Sequence, residues 1–138
     1  MKKAFSMVEL IMAIVILGIL SAVAIPRLYI GRDEALLEKT KVQIQTIRSG
    51  IAIFYSDSLL RANLGYPKKL EKDGVSNDML FSAVIPLNGI KAVKNGDGWS
   101  KEADEYFFAL GKRGAVFTYD NKSGNFSCVK GDLCDELD

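Results

Sequence analysis

The first residue in this 138-residue chain placed to do chemistry is a carboxylate in apolar surroundings. Glu9 stands immediately before a run from Leu10 to Ile25, sixteen residues without a charge. At about 1.5 Å per helical residue that run reaches about 24 Å, short of the roughly 30 Å of bilayer hydrocarbon. The segment spans only if it starts near Phe5, which puts the Glu9 carboxylate about one turn inside one membrane face. An ionisable group at that depth is costly unless partnered, and so marks a functional position.

Cys128 and Cys134 are the next candidates. Their spacing is not the C-x-x-C of zinc ribbons or redox sites, and an even pair behind an export segment predicts a disulfide in an oxidising compartment. The loop it closes is small, and it stabilises the fold by about 2 kcal/mol. Carboxylates at Asp97, Asp132 and Asp135 offer hard oxygen ligands of the kind calcium takes, but without EF-hand spacing, and no metal or other cofactor is expected. The chain has no histidine, which removes the commonest general base and metal ligand. Ser127-Cys128-Val129-Lys130 matches S-x-x-K, yet it falls in an expected strand rather than at the start of a helix, so no catalytic residue is assigned and no enzymatic activity is expected. Asn121-Lys122-Ser123 and Asn125-Phe126-Ser127 match the glycosylation triplet and are read as turn and strand residues.

The elements that position these groups follow from hydrophobic period. Leu37, Ile44, Ile47, Ile51, Phe54 or Tyr55, and Leu59 lie on one face of a helix continuing to about Leu60 or Arg61, with charged residues largely off that face. Gly18 and Pro26 are the expected kink positions, since Pro26 lacks a donor and clashes with the preceding turn. Asn63 to Pro67 ends the helix, Pro67 to Glu71 begins a short helical turn, and Asn77 to Ile85 reads as a second short helix stopped by Pro86. Leu87 to Trp99 reads as a connection with one strand at Ile90 to Val93. Glu105 to Leu110, Ala115 to Tyr119 and Gly124 to Val129 read as a three-stranded antiparallel meander. The class is α+β: a long amino-terminal α-helix, hydrophobic in its first half and amphipathic in its second, packed on a small antiparallel sheet.

Met1-Lys2-Lys3-Ala4, then Phe5-Ser6-Met7-Val8-Glu9-Leu10, then an apolar run closing on Ala24-Ile25-Pro26, resembles the signature of type IV pilins and type II secretion pseudopilins. The resemblance covers about thirty residues. It implies a leader at 1–4 cut by a prepilin peptidase between Ala4 and Phe5, N-methylation of Phe5, and an assembly role for Glu9. Ala4 stands where the family most often has Gly. A transmembrane and polymerisation helix at 5–26 and a periplasmic domain at 27–138 complete the implied organisation. The family's major pseudopilins commonly hold calcium in a carboxy-terminal loop, which is why Asp97, Asp132 and Asp135 are kept in view.

The expected product is a single-pass inner-membrane subunit with its carboxy-terminal domain in the periplasm, or at the cell surface if assembled into a pilus. Lys2 and Lys3 favour a cytoplasmic start, Arg27 and Arg32 oppose it, and the cysteine pair decides for a periplasmic domain. The implied partners are like subunits in a homo- or hetero-oligomeric filament, the prepilin peptidase, and the assembly platform with its ATPase. A minor pilin or competence pseudopilin that binds DNA is the alternative, with Lys68, Lys69 and Lys72 near Tyr66 as its patch. A Sec-secreted soluble protein is the third reading, since Ala22-Val23-Ala24 resembles a signal-peptidase site that would leave Ile25 first; Glu9 and Pro26 argue against it. If cleavage follows Ala4, Ala4→Gly is cut at least as well as wild type and Ala4→Leu accumulates as precursor. A mature-sized Ala4→Leu band on an immunoblot overturns the site.

Overall fold

The structure, a computed structural model, describes residues 4–87 and 89–138, with the side chains of 27–30 excepted. The basic flanks at Lys2, Lys3 and Arg27 lie outside the described residues and side chains. Two compact units divide the chain, Met1–Leu36 and Leu37–Asp138, and helix α1 (Met7–Leu60) contributes to each.

In the first unit α1 begins at Met7, two residues after the Phe5 start that a bilayer span requires. Ser6 is its N-cap, and the helix continues through Pro26 without a break in assignment. This part of α1 is long and apolar enough to cross a membrane, and none of that stretch is buried within the chain.

In the second unit one face of α1 enters a core. Thr40, Ile44, Ile47 and Ile51 are buried, with Gly50 beside them. The face leaves the core through half-buried Tyr55 and buried Ser58, whereas Phe54 and Leu59 are exposed, so the stripe rotates away from its expected end by about one position. Successive steps of three and four residues from Ile44 to Ser58 explain this, because they keep a strict helical face that Leu59 misses. The helix stops at Leu60 by a Schellman closure: the Asn63 N–H donates to Ser58 O at 3.0 Å and the Ala62 N–H to Leu59 O at 3.1 Å. Ala62 takes the left-handed conformation that this cap needs, with φ 56°.

The segment read as a second helix is instead a strand and a turn. β1 (Met79–Leu80) pairs antiparallel with β2 (Ile90–Lys91). Phe81 follows at φ 59°, which no helix accommodates, and its ring is fully buried against Trp99, Tyr106 and Phe126. Tertiary aromatic packing therefore overrides the local apolar period. Residues 68–77 are irregular, so the helical turn expected after Pro67 is absent as well.

The main sheet has four antiparallel strands in sequential order, β3 (Gly98–Glu102), β4 (Glu105–Leu110), β5 (Arg113–Asp120) and β6 (Asn125–Gly131). The three expected strands are present; β3, read as connection, is the fourth. Alternation sends Trp99, Tyr106, Phe108, Leu110, Ala115, Phe117 and Phe126 to the buried face, as the pleat requires. Registers Trp99↔Phe108, Tyr106↔Phe117 and Tyr119↔Phe126 line the rings up. Cys128 stands opposite Phe117 at the end of the regular register, and a shift between Val116 and Phe117 then leaves Val129 unmatched. A short helix α2 (Cys134–Leu137), not anticipated from sequence, buries Leu137 beside Leu133.

Helix α1 is fastened to this unit by side chains as well as by apolar contact. The Trp99 indole N–H donates to Gln43 Oε1 at 3.0 Å, and Arg48 Nε donates to Phe126 O at 3.1 Å. At Gly50 the helix lies so close to Val84 that an added Cβ would collide with the Val84 carbonyl. Gly50→Ala therefore lowers stability by about 2 kcal/mol despite alanine's higher helix propensity. Gly31→Ala, with open space around its Cβ, is neutral or stabilising by up to about 1 kcal/mol. Urea denaturation of both variants in detergent checks the contrast, and equal effects contradict it.

Candidate functional site

The residues singled out by sequence fall in two places, the start of α1 and the segment from Cys128 to Asp138. At the first, Ser6 and Glu9 form a reciprocal capping box: the Glu9 N–H donates to Ser6 Oγ at 3.2 Å, and the Ser6 N–H donates to Glu9 Oε2 at 3.3 Å. The first helical bond follows, from the Leu10 N–H to Ser6 O at 3.2 Å. Two amide groups left over by helix geometry are thereby satisfied, and a negative charge sits at the positive end of the helix dipole. Sequence reasoning assigned Glu9 a buried charge and missed this second role, although Ser6-x-x-Glu9 before an apolar run is its signature.

Around this cap the apolar surface is uncovered. Phe5 is 83 % exposed and Met7 81 %, and the large side chains from Leu10 to Ile25 are each more than half exposed. Ser21, the one hydroxyl in that run, donates to Leu17 O at 2.7 Å, so it presents no unmet donor to an apolar neighbour. Gly18 has nothing near its Cα that a side chain would meet, and Pro26 lies within the helix. Ala4 and Phe5 precede the helix in irregular, exposed backbone.

At the second place Cys128 on β6 and Cys134 at the start of α2 are joined by a disulfide, with Cα atoms 5.5 Å apart. Polar contacts hold the same segment independently. Asp138 accepts from the Cys128 N–H at 3.1 Å and pairs with Arg48 of α1. Asp132 accepts from the Gly114 N–H at 2.8 Å, and Arg113 lies beside both Asp132 and Glu136. The Gly114 amide, with Arg113 nearby, holds the Asp132 carboxyl below the usual carboxylate range. Gly131 takes φ 127° and leaves no room for a Cβ against Gly114 O.

The calcium candidates do not converge. Asp97 accepts from the Gly111 N–H at 2.7 Å, Asp132 serves Gly114, and Asp135 is exposed on α2. Among the described residues no three His, Cys, Asp or Glu side chains are grouped to hold a metal ion. Near the lysines considered for DNA, the Tyr66 ring is stacked on Tyr55 with centroids 4.4 Å apart and lies against Gly124, so it is not free to stack on a base.

Comparison with known proteins gives one finding. Residues 1–25 match the prokaryotic N-terminal methylation motif, the hallmark of the type IV pilin and pseudopilin family. No curated protein and no solved structure matches the chain. Cys128→Ser or Cys134→Ser lowers stability by about 2 kcal/mol and leaves membrane insertion intact, because Leu133, Leu137 and the Asp138 contacts still hold the segment. Urea unfolding of each variant, with alkylation of wild type to count free thiols, tests this. Two free thiols in protein recovered from the periplasmic side remove the basis for it.

Proposed function

We propose that this chain is a structural subunit of a pilin-like filament, made as a membrane-anchored precursor, cut between Ala4 and Phe5, methylated at Phe5 and polymerised through α1. The observation that carries the reading is the methylation motif over residues 1–25 on a helix whose apolar surface the chain leaves uncovered. Such a surface is stable in lipid before assembly. It is equally stable against identical helices afterwards, so a subunit can move from membrane to filament axis without exposing it to water. The subunit needs no catalysis of its own. Its partners are like subunits, the prepilin peptidase, and the inner-membrane platform with its ATPase, with the domain from Leu37 on the periplasmic side. The small cysteine loop favours a type II secretion pseudopilus over a surface pilus. Sequencing the mature amino terminus tests the reading: methylated Phe5 supports it, and Ile25 assigns the chain to ordinary secretion.

Glu9 has two separable parts in this scheme. As a cap it organises the first turn of α1, a contribution of about 1 kcal/mol. As a charge it faces, after cleavage, the α-amino group of Phe5, about 6 Å along the axis in its own subunit and nearer in a suitably staggered neighbour. Buried unpaired in a bundle of apolar helices the carboxylate would cost several kcal/mol, so the stagger that pairs it is selected. Glu9→Gln keeps an oxygen for the Ser6 N–H and removes the charge; Glu9→Ala removes both. Both variants are cut and stay in the membrane, and both enter filaments poorly beside wild type, as read by crosslinking between cysteines engineered on adjacent helices. Wild-type crosslinking by Glu9→Gln reduces Glu9 to its capping role.

A further inference from the structure

The unit Leu37–Asp138 contains a cleft of about 660 Å³ that filament assembly through α1 does not use. Its volume lies within the usual range of ligand sites, about 300–1,000 Å³, but its lining is charged where most such sites are apolar. One wall is the irregular segment 68–77. The other is made by the turns β3–β4 and β5–β6, which emerge at the same end of the sheet.

The floor between them is a closed polar cluster. Lys101 Nζ lies 2.5 Å from Glu71 Oε2, and the Tyr106 hydroxyl donates to Glu71 Oε1 at 2.9 Å. Lys101 Nζ also lies 3.2 Å from the Tyr106 hydroxyl and 4.8 Å from its ring centroid. Burial, with the Glu71 charge beside it, pushes the Tyr106 phenol well above its ordinary range, so it remains a neutral donor. The cluster pins segment 68–77 to the sheet and keeps the cleft open as a fixed shape.

The walls differ in sign. Segment 68–77 presents Lys68, Lys69 and Lys72 with Asp73 among them, all exposed, so that it is net positive, while the turns present Asp104 and Asp120. Among the described residues neither the three lysines nor Asp104 makes an ion pair. Asp120 is held in its own turn by the Lys122 N–H and the Ser123 hydroxyl, which keep its carboxyl below the usual range and therefore charged. Cations thus outnumber carboxylates on one side of the cleft, and carboxylates stand on the other.

This arrangement selects among ligand classes. Sugars stack on an open aromatic face, and the Tyr106 ring offers none, being covered by Lys101 and stacked on Phe81. A nucleic-acid backbone would meet Asp104 and Asp120 as well as the lysines, and like charge repels it. We propose that the cleft binds an extended segment of a partner polypeptide bearing one acidic and one basic side chain, the acid toward Lys68, Lys69 and Lys72 and the base toward Asp104 and Asp120. Solvent-exposed ion pairs are individually weak, so binding is transient and weakens as salt rises. The inference does not rest on polymerisation, and its test needs only the full chain in detergent micelles.

The probes are blocked hexapeptides of Ser and Gly carrying one Glu and one Lys at separations of one to four residues, titrated against the isotope-labelled full chain by NMR. At least one separation is expected to shift the amides of Lys72, Asp104 and Asn121 saturably, with Kd of about 1 mM. Binding is expected to weaken about threefold in Lys68→Gln and in Asp104→Asn at unchanged Tm. Peptides with Glu alone or Lys alone are expected to bind several-fold less tightly. No saturable shift at any separation overturns the proposal, as does binding of the Glu-only peptide, inorganic phosphate or single-stranded DNA as tight as that of the doubly charged peptide.

Discussion

From Leu10 to Ile25 the large side chains of α1 are each more than half exposed among the described residues. Each is worth roughly 1.5–3 kcal/mol on full burial, so this segment accounts for a free energy exceeding the net stability of an ordinary domain. That surface must be met from outside, by lipid or by other helices. The run from Leu10 to Ile25 suits either environment because its backbone bonds are internal and its one hydroxyl is bonded to Leu17 O. The capping box on Ser6 and Glu9 completes the account at the end where helix geometry leaves amide groups without partners.

The same helix obeys a different rule after Leu37. Its residues there are apolar on one face only, and that face is matched by a single sheet layer rich in rings. Trp99, Phe117 and Phe126 pack on one another, with Phe81 added from the connection between β1 and β2. A one-layer sheet has too little area to bury such rings without a cover, which makes the amphipathic part of α1 a structural requirement of the domain. Gly50 is the local price of close approach: only a residue without a Cβ brings the helix against the Val84 carbonyl.

The helix, its buried face and three of the strands are legible in the sequence because each is a long or strongly periodic signal. The failures have specific physical causes. The 77–85 region carries an apolar run of helical appearance, but Phe81 is drawn into the aromatic core at a left-handed φ, and Gly89 lies too close to Leu80 O for any side chain. β3 was hidden by Asn95-Gly96-Asp97-Gly98, whose turn character spills into a strand that starts at Gly98 itself. At the amino-terminal site the unusual placement of Glu9 beside an apolar run is legible in the sequence, Ala4 and Phe5 stand out only through the family resemblance, and the Ser6–Glu9 capping box leaves the short Ser-x-x-Glu signature. The carboxy-terminal pairing of Arg48 with Asp138 joins residues ninety apart and leaves no local trace.

That last contact changes how the disulfide should be weighed. A covalent link between Cys128 and Cys134 restrains only seven residues, and strand alternation from buried Phe126 already places Cys128 opposite Phe117. Leu133 and Leu137 are buried, Asp132 and Asp138 accept backbone donors from β5 and β6, and Arg48 reaches across from α1. The two cysteines are thus held near one another by burial and polar contacts as well as by the bond between them. A segment held this way ties the end of the sheet to α1 at Arg48, whose guanidinium meets both Asp138 and the Phe126 carbonyl.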